Sequence, residues 1–191
     1  MRISKQKRET KETKIELELN IDGKGKYEIS TGVKFFDHML EQLAQHSGFD
    51  LKIKATSLDS DPHHCIEDVA ITLGTALKEA MGDKKGIVRY QCVILPMDEA
   101  LILCSLDISG RAFCKVDVDV KDNKTSDFET ILLPHFFNSL AQNAGLTLHI
   151  RKLDGTDTHH IIEATFKAAA RVLKAALEIK GDEVPSTKGI L

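Results

Sequence analysis

Long apolar runs are missing from this 191-residue chain. No stretch approaches the roughly 18 residues of a membrane span, and the opening MRISKQKRETKETK has none of the apolar core of a secretory signal. A surplus of positive charge is missing too: 26 Lys and Arg against 29 Asp and Glu leave a net charge of -3, which argues against a general nucleic-acid binder. The four cysteines, Cys65, Cys92, Cys104 and Cys114, form no C-x-x-C pair. That excludes the usual zinc-ribbon and thioredoxin patterns and fits a reducing compartment. Together these absences predict a cytoplasmic protein that engages neither membrane nor nucleic acid. What is present, 42% hydrophobic residues, suffices for a buried core at this length.

The chain repeats itself. FFDHMLEQLAQHSGFDLKIKA (35–55) aligns with LLPHFFNSLAQNAGLTLHIRK (132–152), pairing His38 with His135 at an offset of 135 − 38 = 97. DPHHCIED then aligns with DTHHIIEA, pairing His63 with His159 at 159 − 63 = 96, so the intervening loop has gained or lost one residue. In the first half Ile15, Leu17, Leu19 and Ile21 alternate as in a half-buried strand. Helical spacing over 34–45, a strand over 49–55 and a helix over 67–81 follow. The second half reads as strands near 87–95, 100–108 and 112–120, a helix over 128–144, a strand over 146–151 and a helix over 159–179. The turn at 82–86 joins them. The predicted fold is α+β, two β-β-β-α-β-α halves (1–84 and 85–180) followed by a tail (181–191). Neither half can bury a core alone, so both are expected to pack as one domain over 1–191, helices against mixed sheets.

The repeated H-H-x-x-E carries chemistry. On a helix, Glu67 projects between His63 and His64, as Glu163 does between His159 and His160, while adjacent histidines diverge by about 100°. Each motif therefore suits two different ions better than one. With His38 and His135 the set is His38, His63, His64, Glu67, His135, His159, His160 and Glu163, four ligands for each of two metals. Octahedral ions so held keep positions open for substrate or water. A lone helical histidine is usually a surface or core residue, but six of the eight histidines fall in two matched sets. His149 has no partner motif and reads as structural. Imidazole and carboxylate without thiolate leave manganese, iron, cobalt and zinc open.

These segments, with PMDEAL, DISGR and the terminal PSTKG, resemble the imidazoleglycerol-phosphate dehydratase family over nearly the whole chain. Asp157 and Cys65 stand where Asn and Thr are common in that family, and neither change removes a ligand. The resemblance implies two manganese ions, an assembly of 24 identical subunits with sites between them, and dehydration of D-erythro-imidazoleglycerol phosphate to imidazole acetol phosphate in histidine biosynthesis. It implies no fused phosphatase, since the first strand motif begins almost at Met1. It also implies a substrate shell: Arg89, Arg111, Lys167, Ser186, Thr187 and Lys188 toward the phosphate, and Gln42, His46 and Asp68 along the site with His38, His64 and Glu67. Glu12 is the implied general base, with Glu67 and Glu163 the other catalytic carboxylates.

The reacting proton has no carbonyl beside it, so the substrate imidazole must serve as electron source and sink. Held between two ions as an imidazolate, it can expel the neighbouring hydroxyl through a diazafulvene-like intermediate. Two other classes compete: a dinuclear hydrolase attacking a phosphoester, and a metal-storage protein, for which a phosphate-binding set has no use.

Overall fold

A computed structural model describes residues 1–191. In the first half, β1 (Ile3–Glu9), β2 (Thr13–Asn20), β3 (Tyr27–Ser30), α1 (Lys34–Ser47), β4 (Asp50–Ser57) and α2 (Pro62–Met81) follow one another. The second half contains β5 (Tyr90–Met97), β6 (Ala100–Asp107), β7 (Phe113–Asp117), a small hairpin of β8 (Lys124–Thr125) and β9 (Phe128–Glu129), α3 (Leu132–Ala144), β10 (Thr147–Asp154) and α4 (Thr158–Leu177). The sheets have matching orders, β1-β2-β4-β3 and β5-β6-β10-β7. In each, three strands run antiparallel and the last, β3 or β7, lies parallel to its neighbour.

The duplication predicted from the sequence is thus two similar mixed sheets carrying helices. Alternation selects the faces: Ile15, Leu17 and Leu19 of β2 and Ile102, Cys104 and Leu106 of β6 turn inward. A single apolar cluster runs through both halves. α2 packs on β1, β2 and β4, and α4 packs on β5 and β6. Across the halves, α1 pairs with α4 and α2 with α3. The helices are therefore exchanged between repeats, and this exchange places one half's histidines against the other's.

Several boundaries move for local reasons. β1, ISKQKRE, shows no apolar alternation because Ser4 is its one buried residue, so the inward face is polar. The expected strand over 87–95 begins only at Tyr90, because Arg89 adopts φ 84 and interrupts it. α2 begins at Pro62 rather than Glu67, with Asp61 accepting the His63 N–H at 2.8 Å. α4 begins at Thr158 with Asp157 accepting the His160 N–H at 3.0 Å. Both histidine pairs therefore lie in the first turn of a capped helix. α1 and α3 end at Gly48 (φ 77) and Gly145 (φ 69), left-handed caps that turn the chain into the next strand.

The outward faces differ in degree. The first sheet carries the ion pairs Lys5–Glu18, Lys7–Glu16 and Lys52–Glu28 beside exposed Ile3 and Tyr27. The second exposes Tyr90, Ile94, Phe113 and Leu153 beside the pair Arg151–Asp117. No helix is long and apolar enough to cross a membrane.

Candidate metal centre

The helix exchange sorts six of the eight candidate ligands into two trios. His38 of α1 meets His159 and Glu163 of α4, and His135 of α3 meets His63 and Glu67 of α2. Within each trio one donor atom per residue lies within 4.8 Å of the others. The carboxylate oxygens lie 3.5 Å from His38 Nε2, 3.1 Å from His159 Nε2 and 3.5 Å from His135 Nε2. Bonds of about 2.1 Å at right angles set ligand atoms about 3 Å apart, so these gaps suit a shared divalent ion. His135 Nε2 adds an independent sign: it is buried with no hydrogen-bond partner, a cost that a coordinated cation removes. The donor set is compatible with divalent metals.

His64 and His160 stand apart from both trios. Their Nδ1 atoms turn to carboxylates instead, His64 to Asp59 at 2.6 Å and His160 to Glu99 at 2.8 Å. Those contacts raise both histidine pKa values. The divergence of adjacent helical residues, expected to divide each pair between two ions, thus removes one histidine of each pair from its own chain's trio. Glu12 also lies here, its carboxylate 3.9 Å from His64 Nδ1. Neither Asp59 nor Glu99 emerges from the motif reading. The contact between His160 and Glu99 and the N–H of Asp157 hold the Glu99 carboxyl down at about 2.

The remaining predicted residues form two separate groups. Lys167, one turn after Glu163, binds it at 2.6 Å and rests on Met97 Sδ at 3.6 Å. Burial pushes the Glu163 carboxyl up, but Lys167 and His159 outweigh it and its pKa is lowered. His46 bonds Gln42 at 3.2 Å, and burial, then Lys167 and Arg171, lower its pKa.

At the other end of β5, Arg89 grips Asp107 at 2.8 and 3.3 Å and donates to the Pro185 carbonyl at 2.8 Å. The tail then folds over Ser186, whose Oγ accepts the Lys188 N–H at 3.2 Å, with Thr187 exposed. It ends beside Gly110 next to the exposed Arg111. Asp68 is buried against Arg8 Nε at 2.8 Å and Thr13, outside both groups and both trios. His149 is exposed beside the Phe113 ring at 5.2 Å.

The two groups lie at opposite ends of β5. Arg89 precedes Tyr90 while Lys167 touches Met97, and eight extended residues separate those ends by about 23 Å. A phosphate spans only a few ångströms.

Comparison with known proteins follows the same lines. Residues 31–173 match the family model described as imidazoleglycerol-phosphate dehydratase. A protein of that name from Caldanaerobacter subterraneus subsp. tengcongensis is 52% identical, with 100% of each chain covered. One from Roseobacter denitrificans is 51% identical over 96% of each. The crystal structure of the Staphylococcus aureus protein superposes with a TM-score of 0.85 at 38% identity, over 93% of this chain and 99% of that one. That of the Pyrococcus furiosus protein, in complex with (S)-C348, gives 0.85 at 41% identity, over 97% and 100%.

Proposed function

As this chain belongs to the imidazoleglycerol-phosphate dehydratase family and is a hydro-lyase of histidine biosynthesis, we propose that it converts D-erythro-imidazoleglycerol phosphate to imidazole acetol phosphate with the substrate imidazole held at two divalent ions, manganese by preference. The observation that carries this reading is the pair of cross-half trios, each with one imidazole from either half and a carboxylate. Bound divalent ions supply Lewis-acid positions that hold ring nitrogens and favour the deprotonated ring.

The protein's own residues do the rest. Glu12 takes the proton from the carbon bearing the middle hydroxyl, and the hydroxyl next to the ring departs. The resulting enol then becomes the ketone. Lys167 and His46 face one side of the phosphate, and Arg89, Arg111, Ser186 and Lys188 the other, through charge-assisted hydrogen bonds.

The site lies between subunits of a homo-oligomer, for which the family suggests 24 copies. The separation of the two phosphate groups along β5 supports this, as do His64 and His160, directed away from their own trios and suited to complete a neighbour's. The apolar outward face of the second sheet gives such an assembly a surface to bury.

Product analysis tests the reaction: imidazoleglycerol phosphate should yield a new ketone with no inorganic phosphate, and chelation should abolish turnover until manganese is returned. Release of phosphate would favour a dinuclear hydrolase. Full turnover by metal-free protein would refute the metal role.

A further inference from the structure

The two hairpins that begin the halves place a glutamate at the same point. Glu12 immediately precedes β2, and Glu99 immediately precedes β6. Yet their contacts differ: Glu99 Oε2 holds His160 Nδ1 at 2.8 Å, whereas Glu12 stops 3.9 Å short of His64 Nδ1.

The difference lies in the loop before the histidine helix. Asp59 Oδ2 occupies His64 Nδ1 at 2.6 Å, while its Oδ1 accepts the Asp61 N–H and the Ser57 hydroxyl, both at 3.0 Å. Counted back from the histidine helix, the repeat position in the second half is 59 + 96 = 155, a glycine. A side chain there would come within 2.9 Å of Ile161 and 3.1 Å of the Ala100 Cα, at φ 132. Glu99 fills the vacancy in the same way, one oxygen on His160 and the other on the N–H of Asp157 at 2.8 Å. Asp157 is the repeat equivalent of Asp61, since 61 + 96 = 157. Two carboxylates from unrelated positions thus make one arrangement, binding the helix-capping aspartate's N–H and the histidine's Nδ1 together. In both, Nδ1 is taken and Nε2 is the nitrogen left for a metal, with Asp98 Oδ2 3.7 Å from it in the second half, and an outer carboxylate of this kind fixes the ring and strengthens it as a ligand.

We infer that Asp59 is a positioning residue that holds His64 in the place of the hairpin glutamate and thereby leaves Glu12 available for proton transfer, while Glu99 is kept at the positioning task and takes no proton from substrate. This rests on the reading of His64 and His160 as metal ligands and of Glu12 as the base. Asp59 acts through two neighbours, so its loss has two separable consequences. Without it, Glu12 can swing onto His64, preserving the histidine's support while withdrawing the base.

The test combines calorimetric titration of the chelated full-length protein with manganese and steady-state kinetics at saturating manganese. Glu99→Gln should weaken manganese binding by about tenfold or more, with little change in kcat once metal is saturating. Asp59→Ala should do the reverse: manganese affinity near the wild-type value, kcat reduced by about tenfold or more, KM little changed. In Asp59→Ala/Glu12→Gln the metal defect should appear, since Asp59 and Glu12 are both gone and the remaining carboxylate, Asp61 at 3.9 Å from His64 Nδ1, is held by the His63 N–H at 2.8 Å, while kcat should fall no lower than in Glu12→Gln alone. Asp59→Ala that loses metal affinity as Glu99→Gln does, with normal kcat at saturating metal, overturns the inference. So do kcat losses that multiply in the double variant. Wild-type protein that binds no manganese would instead refute the metal reading itself, before any variant is compared.

Discussion

Glu163 and Glu67 occupy equivalent places in the repeat, 163 − 67 = 96, but their surroundings diverge. Glu163 is 7% exposed and carries Lys167 on one oxygen and two histidines near the other. The Glu67 side chain is 37% exposed and faces His135. One trio is thus a partly buried charge network tied to the candidate phosphate side, and the other an open ligand set around an unpartnered ring nitrogen. Duplication supplied two equal frames, and the contacts added around each frame gave them different surroundings.

The hairpin glutamates offer the largest test of that divergence. Glu12→Gln should lower kcat by about 10²–10⁴-fold with manganese binding retained, measured by steady-state turnover and metal titration. Near-normal turnover would return Glu12 to the solvated surface and erase its difference from Glu99. Next come the two ends of β5. Lys167→Ala and Arg111→Ala should each bind substrate about ten- to hundredfold more weakly. Co-assembly of the two variants from metal-free chains should recover activity by rebuilding intact sites between subunits. No recovery on mixing would confine the site to one chain.

Much of this arrangement was legible in the sequence. The offset of 96–97 exposed both frames and the six residues that gather in the two trios, because H-H-x-x-E is compact and recurs. The helix exchange was not legible: helical periodicity shows that α1 buries Phe36, Met39, Leu40 and Leu43, but not whether α2 or α4 covers them. Asp59 and Glu99 were missed for a related reason, since they meet their histidines through loop geometry. The one available signal was the misfit of Asp59 against Gly155 in the repeat. The bond between Arg89 and Asp107 likewise joins neighbouring strand ends that no short motif connects.

Smaller effects should separate the trios in metal-free protein. Glu163→Gln leaves Lys167 without its counter-charge and should cost about 1.5–3 kcal/mol of stability, whereas Glu67→Gln should stay within about 0.5 kcal/mol. Denaturant unfolding measures both, and equal losses would deny the contrast. The Glu163 pKa lies below its ordinary 4.5 in the folded chain. Its contribution is therefore present above that ordinary value and lost as pH falls through the lower folded one. Another modest effect concerns the helix pairs. Gly74 of α2 aligns with Ala170 of α4, 170 − 74 = 96, and a Cβ at Gly74 would lie 2.7 Å from the Leu140 carbonyl oxygen and 2.8 Å from Asn143 Cβ. Gly74→Ala should destabilise by up to about 2 kcal/mol, overpacking against α3 outweighing the roughly 1 kcal/mol gained in helix propensity. A stabilised variant would show that the α2–α3 contact yields freely.

The central claim is that each chain builds two distinct centres, each spanning both halves. Metal content per chain, measured after manganese loading and exhaustive dialysis in the wild type and in His135→Ala and His38→Ala, tests it most directly. The account predicts two ions in the wild type and the selective loss of one in each variant, with the α2–α3 trio emptied by His135→Ala and the α1–α4 trio by His38→Ala. A single ion in the wild type, or two ions retained in both variants, would contradict it.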